Sequence, residues 1–376
     1  MVEFIRADKS QKADMIDFIT YVFSYHYEPH EFKKLVPKVY ADTAEDDNVT
    51  HYMAMEDGRI KAVVSNRLME EKVGAHTLKY GLIGAVSVHP YSKGKGYMKA
   101  LMKMALDDAQ RDGLDVMALG GQRQRYAYFG FERVGTSYQY TLNKNNIRHC
   151  LKDVDTTGVS FELINDPDAA ELDKIKELYE RRPAHGVRPR KELFHIMHNW
   201  ASELRVIRKD GRMIGYVYSN MAELVLEDNA LLPEVTKAWF EQVSSETLSL
   251  SIPMYEQAQC AFFTRICERM SILPVEMVCV LNWERMLQAM LEFRNRFCPL
   301  QDGEVEFQIE EEAFRIQVNG GNVCVQKISA DGKTLPEYTH NEAELLFFGM
   351  QNMLIPKTEY KNWLPLPFCI DLPDTF

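Results

Sequence analysis

The chain has 376 residues, 46% of them hydrophobic and 26% charged. At roughly 100–200 residues per domain, that length predicts two or three domains, and the composition excludes global disorder. Asp and Glu (55) outnumber Lys and Arg (44), and the resulting net charge of −11 argues against a nucleic-acid binder, whose surface is basic.

In chain order, Val2–Arg6 reads as a short strand, and Asp8 and Ser10 are good caps for a helix carrying Met15, Ile16, Phe18, Ile19, Val22 and Phe23 at helical spacing. Thr50–Met55 and Ile60–Arg67 read as strands joined at Asp57-Gly58, a hairpin signal. Leu78–His89 is a Val- and Ile-rich strand, Tyr97–Arg111 a helix stopped by Gly113, and Leu114–Leu119 a further strand. The polar stretch 143–158 marks a first boundary. Beyond it the order repeats weakly: strand Val159–Ile164, helices Asp168–Arg181 and Lys191–Trp200, and strands Glu203–Lys209 and Met213–Asn220 around Asp210-Gly211. Then come the short extended run Leu224–Glu227, helix Pro233–Val243, strand Thr247–Ile252 and helix Tyr255–Met270. A third stretch holds helix Trp283–Phe293, a meander of Glu304–Ile309, Ala313–Val318 and Asn322–Ile328, and a short helix Asn341–Gly349. The predicted fold is α/β with three domains: 1–150, 151–281 and 282–376. The tail from Trp363 to Phe376 is apolar and Pro-rich, and disordered tails are usually polar, so it is expected to dock.

The seven cysteines (Cys150, Cys260, Cys267, Cys279, Cys298, Cys324, Cys369) are widely spaced with no CxxC pair. A zinc ribbon or disulfide framework is not expected, and reduced thiols in a cytoplasmic protein fit better. The N-terminus is charged where a signal peptide needs an apolar run, and no stretch approaches the ~18 apolar residues of a membrane span. No membrane or nucleic-acid partner is expected.

The segment with chemical content is Val86-Ser-Val-His-Pro-Tyr-Ser-Lys-Gly-Lys-Gly-Tyr-Met98. A strand runs into a glycine-containing turn and then a helix, whose first N–H groups lack intrahelical partners and lie at the positive end of the macrodipole. Gly94 and Gly96 leave room for an anion to approach. Between Leu82 and Leu106 stand Lys93, Lys95, Lys99 and Lys103 with no acidic residue. The loop therefore suits a phosphate. It is neither GxxxxGK[ST] nor GxGxxG, since Tyr97 and Lys99 break those patterns. A plain strand-to-helix turn with solvated lysines is the other reading of the residues alone.

Val88-x-Pro90-x-x-Lys93-Gly94-Lys95-Gly96 resembles the acetyl-CoA pyrophosphate loop of the GNAT acetyltransferase superfamily, with Lys93 for the usual Arg or Gln and Met98 for a small residue. Tyr126-Ala-Tyr-Phe-Gly-Phe131 is similar to that superfamily's Y-x-x-F-G-F segment. The whole chain resembles the enhanced intracellular survival family, strongly in Leu82–Phe131 and in architecture elsewhere. The resemblance implies two tandem GNAT-like domains, the second degenerate, and a sterol carrier protein-like third. It implies acetyl-CoA as cosubstrate without a metal, held by Val86, Ser87, Val88, Lys93, Gly94, Lys95, Gly96, Tyr97 and Met98.

By the same resemblance Tyr126 is the general acid for the thiolate, and the C-terminal carboxylate of Phe376 is the base that serves the acceptor amine. A backbone N–H near Val86–Val88 polarises the thioester carbonyl. Read without the family, Tyr126 and Phe376 are packing residues. Arg123 and Arg125 are candidates for the CoA phosphates or an anionic substrate, and read equally well as plain surface arginines. Glu28, Glu31, Asp46 and Asp47 read first as a solvated acidic loop and second as candidates for a cationic acceptor, and the acidic run from Glu304 to Glu312 reads as a solvated face.

The expected function is N-acetyl transfer from acetyl-CoA to a primary amine, by direct attack. The amine belongs to a small molecule such as an aminoglycoside- or polyamine-like compound, or to a lysine. The alternative is a non-catalytic acyl-CoA or lipid-binding module. A homo-oligomer, trimer or hexamer, is implied by the family.

Overall fold

The computed structural model describes residues 1–26, 28–44, 47–243 and 246–376. The first part supplies β1 (Val2–Arg6), β2 (Val49–Glu56), β3 (Arg59–Val73), β4 (His76–Val88), β5 (Val116–Leu119), β6 (Glu132–Val134) and β7 (Ser137–Asn143). The middle part supplies β8 (Val159–Leu163), β9 (Ala184–Gly186), β10 (Leu204–Lys209), β11 (Arg212–Tyr218), β12 (Glu223–Leu226), β13 (Thr247–Pro253) and β14 (Arg269–Leu273). The remainder supplies β15 (Glu276–Val280), β16 (Gly303–Ile309), β17 (Glu312–Asn319), β18 (Asn322–Ile328) and β19 (Glu337–Tyr338).

Local signals produced local structure. Asp57-Gly58 and Asp210-Gly211 both take positive φ at the two turn positions, as a two-residue hairpin requires. Tyr97–Arg111 is one helix, burying Leu101, Met102, Ala105 and Ala109 against the first sheet. Two expectations needed correction. The helix expected to reach Met270 stops at Ile266, and Arg269–Leu273 is a strand. Within the stretch expected to be an aperiodic boundary, Lys144–Cys150 is a helix, because Asn143 and Asn146 cap each other's backbone.

The sheets cross the expected domain bounds. The first sheet runs β1-β2-β3-β4-β5-β15-β6, with β9 added on β3, so a strand from the end of the expected second domain, 151–281, lies between β5 and β6. In return β7 leaves the first part and lies between β13 and β14. Burial accounts for both placements. Met277 and Cys279 of β15 enter the core beneath helix Tyr97–Arg111, while Val278 and Val280 enter the core on the opposite face. A strand apolar on both faces belongs inside a covered sheet. Tyr140 and Leu142 of β7 are fully buried in the middle part's core.

The middle part has the split outline of a second GNAT-like sheet: β12-β11-β10-β8 on one side and β13-β7-β14 on the other. The third part is a helix, Trp283–Phe297, on the antiparallel sheet β16–β18, and it shares one continuous core with the first sheet. That shared core brings the tail back across the molecule, with Trp363, Leu366, Phe368 and Ile370 buried on the way. Among the described residues no helix is long and apolar enough to cross a membrane.

Candidate active site

The site begins where β4 breaks away from its neighbours. β4 pairs in parallel with β5 only as far as Leu82 opposite Ala118. On its other side the register to β3 slips between Val63 and Ser65, and Ala85 takes φ 49°. A bulge of this kind re-aims the strand. Beyond Leu82 the two parallel strands diverge, leaving Gly84–Val88 facing open space instead of β5.

Outside the divergence lies a cleft of about 880 Å³ whose walls include Val86, Ser87, Val88, Lys93, Gly94, Gly96, Tyr97 and Met98. The resemblance had singled out these eight residues, and the fold brings them together. Gly94 and Gly96 have φ of +81° and +82°, and a Cβ at either would meet nothing within 4 Å. Gly96 stands at the N-cap of helix Tyr97–Arg111 without a side-chain cap. The first turn's N–H groups therefore face an open cradle, and this fits a pyrophosphate.

Lys95, the ninth, does not line the cleft. Its ammonium is bound to both carboxylate oxygens of Glu56 at 3.0 and 2.9 Å. Lys99 and Arg125 line the cleft in its place. Arg123 is held by the buried Glu132. His89 accepts the Tyr91 N–H and caps the short turn Pro90–Ser92.

Tyr126 follows Arg125, which lines this cleft, and closes a single helical turn; its ring is buried with Ile83, Leu119 and Phe131. Burial raises its pKa above the ordinary value for tyrosine, so the phenol keeps its proton at neutral pH. Gly121 makes room for it: a Cβ there would lie 2.7 Å from the Cε2 of Tyr126. Tyr128 is exposed, with the Lys99 ammonium 4.2 Å from its ring centre.

On the inner side of the divergence is a cavity of about 280 Å³ lined by Gly84, Ala85, Gly120, Trp200, Glu276 and Phe376. Phe23 lines this cavity and the outer cleft alike. The chain's last residue thus reaches the point where β4 and β5 part. Three side chains from two segments hold it there. Lys38 donates to the carbonyls of Pro373 (2.8 Å) and Thr375, Asn199 donates to Thr375, and the Trp200 indole N–H donates to a terminal oxygen of Phe376 at 3.2 Å. Behind them Arg188, buried, binds Glu223 through two nitrogens and Asp374 at 2.8 Å, with Tyr179 stacked on the guanidinium. Burial pushes the Asp374 carboxyl up, but Arg188, Lys38 and Arg67 together hold it below its usual range.

A second cavity, about 350 Å³, leads from between the middle part and the tail to the first, and Glu276, Ile370 and Thr375 line both. Its acids are Glu223, Glu256, Asp371 and Glu276. Of the residues expected to meet a cationic acceptor, Glu28 is exposed, Glu31 pairs with Lys34, and Asp47 pairs with Lys9. Asp46 lies outside the described residues. Sequence reasoning missed Glu276. Burial pushes its pKa up to about 7, against an opposing effect of Arg133. A glutamate leading an apolar five-residue strand carries no local sign of such a place.

Residues 3–134 match the family model of the acetyltransferase (GNAT) domain. Along its whole length the chain superposes on several solved structures. One is a conserved protein of unknown function from Enterococcus faecalis V583, described as a probable N-acyltransferase (TM-score 0.69, 16% identity, all of both chains covered). Others are a GCN5-related N-acetyltransferase from Kribbella flavida (0.70, 13%, 100% of this chain and 98% of that one) and Eis1 from Mycobacterium abscessus (0.66, 15%, all of both chains). No curated protein matches the sequence. The chain therefore carries a GNAT acetyltransferase domain, an enzyme module that takes its acyl group from acetyl-CoA, within a tandem GNAT-like fold.

Proposed function

We propose that the protein transfers the acetyl group of acetyl-CoA to the primary amine of a small molecule by direct attack. One observation carries this reading: the glycine cradle and the chain's own C-terminus meet from opposite sides at the divergence of β4 and β5. The pyrophosphate lies on Gly94 and Gly96, and the acetyl group reaches Ala85 and Val86, whose freed backbone stabilises the developing oxyanion. Tyr126 gives its proton to the departing thiolate. The carboxylate of Phe376 faces the acceptor.

A cavity enclosed by the tail, with Glu276 on its wall, suits an extended aliphatic amine better than a lysine on a folded protein. The bounds 1–150, 151–281 and 282–376 remain our division by sequence, with β7 and β15 exchanged across them. In this reading the third domain, sterol carrier protein-like, serves to deliver the terminus. The middle domain walls the acceptor path and binds no CoA, and the protein works in the cytoplasm as a homo-oligomer.

The test is CoA release from acetyl-CoA with a panel of primary amines. Turnover that needs Tyr126 supports the reading. Acetyl-CoA binding with no turnover on any amine supports a binding module instead.

A further inference from the structure

Glu276 is the first residue of β15, and the pairing of Met277 with Leu119 sets it beside Gly120, just past the end of β5. A Cβ at Gly120 would lie 3.2 Å from the Oε1 of Glu276, and one at Gly121 would lie 2.7 Å from the ring of Tyr126. Gly120 thus leaves room for the carboxyl and Gly121 for the ring of Tyr126. The carboxyl also lines the inner cavity with Phe376 and the cavity leading to it.

The other acids along that path already have partners. Glu223 is bound to Arg188 at 2.7 Å, and Glu256 and Asp371 are bound to Arg182 at 2.9 and 2.5 Å. Among the described residues, no Lys or Arg nitrogen lies within 4.0 Å of the Glu276 carboxylate. From β6, Arg133 is the nearest cation in effect, and its guanidinium donates to the Gly121 carbonyl at 3.2 Å. The end of β5 offers Leu119 and Gly120, neither charged. The tail offers Asp371 and the terminal carboxylate, and the middle part Arg182, Glu223 and Glu256.

We infer that Glu276 takes the proton of the acceptor ammonium, while the terminal carboxylate of Phe376 holds that ammonium at the acetyl group. The inference rests on the acetyl-transfer reading and changes the residue that acts as its base. An α-carboxyl is ordinarily a weak base, with a pKa of about 3.3–3.7, and the Phe376 oxygen already accepts the Trp200 indole N–H. A carboxyl that titrates near neutrality is far better matched to the task.

The step balances as follows. Glu276 removes one proton from the ammonium. The amine nitrogen bonds to the thioester carbon, and the C–S bond then breaks. The thiolate leaves with the Tyr126 proton, the nitrogen's second proton restores Tyr126, and the proton on Glu276 passes to solvent. One proton is released per amide formed.

The test is the pH dependence of CoA release from the full-length protein, with acetyl-CoA and with 1,4-diaminobutane and spermidine as probes. The wild type should show kcat/KM rising with pH through an apparent pKa near 7. Glu276→Gln should lose about 100-fold in kcat together with that rising limb, while acetyl-CoA affinity and circular dichroism stay unchanged. Glu276→Asp should be slower than wild type but keep the limb. A two-residue extension after Phe376 should raise the amine KM and keep the limb. A Glu276→Gln enzyme that retains both rate and limb overturns the assignment and leaves acetyl transfer standing. A wild type that binds acetyl-CoA but acetylates neither probe overturns both together.

Discussion

The ring of Phe376, the last residue of the chain, occupies the space that a side chain at Gly84 would fill. The terminus and the diverging strand are therefore complementary in shape, and the contact is testable from either side. Gly84→Ala would force the ring aside. Such overpacking costs about 1–3 kcal/mol, and a displacement of about 1 Å at a reacting centre costs up to about 100-fold in rate. The expected outcome is a fall in kcat of at least tenfold with the acetyl-CoA Kd unchanged, since the cradle lies on the other side of the strand. Equal kcat values would detach Phe376 from the chemistry.

Tyr126→Phe keeps the ring that packs on Gly121 and removes only the hydroxyl. It should lower kcat about 100-fold and leave thermal stability and acetyl-CoA affinity near wild type, read by stopped assay and calorimetry. Tyr128→Phe, at an exposed position, should be close to silent.

The lysines of the loop should separate. Lys93 lines the cleft and Lys95 is tied to Glu56. Lys93→Ala should weaken acetyl-CoA binding several-fold, with a loss that shrinks as salt is raised. Lys95→Ala should change binding little, because exposed ion pairs such as Lys95–Glu56 contribute at most about 1 kcal/mol. Equal losses from both would contradict this placement.

Arg188→Ala removes the cation shared by two buried carboxylates, Glu223 and Asp374. Breaking a buried pair from one side costs about 3–5 kcal/mol. Urea unfolding should show that loss. The tail should become sensitive to carboxypeptidase even under conditions where the variant stays folded. A variant with wild-type stability and a protected tail would show that the anchor lies elsewhere.

Glu276 also makes a prediction for stability. Its folded pKa is raised from 4.5 to about 7, so the folded state binds the extra proton and stability falls as pH rises through that interval. The full penalty above pH 7 is about 3 kcal/mol at most. Glu276→Gln should therefore melt higher than wild type at pH 8 and equally at pH 4. A lower melting temperature at pH 8 would show the carboxylate to be stabilising, not strained. A variant both more stable and less active is the usual mark of a polar group retained for function.

Much of the first part was legible because its signals are local. Positive-φ turns at Asp57-Gly58, the helix from Tyr97 and the open glycines at 94 and 96 each depend on a few neighbouring residues. The Tyr126 segment was recognisable from six consecutive residues. Lys95 turns to Glu56 on another strand, and charge alone does not tell which way a lysine turns. Arg123 is likewise turned by a partner its own segment does not name, the buried Glu132.

The sequence by itself determined the glycine turn before helix Tyr97–Arg111, the hairpins and the apolar character of the tail, because hydrophobic period and turn chemistry act over short stretches. Only the tertiary structure decided that β15 enters the first sheet and β7 leaves it. An apolar run such as Glu276–Val280 says that a strand is buried and is silent about which strands flank it. That pairing, with the core shared between the first and third parts, carries Glu276 and Phe376 to the divergence of β4. The site is completed by residues far apart in the chain, and their meeting is set by long-range packing that no local pattern encodes.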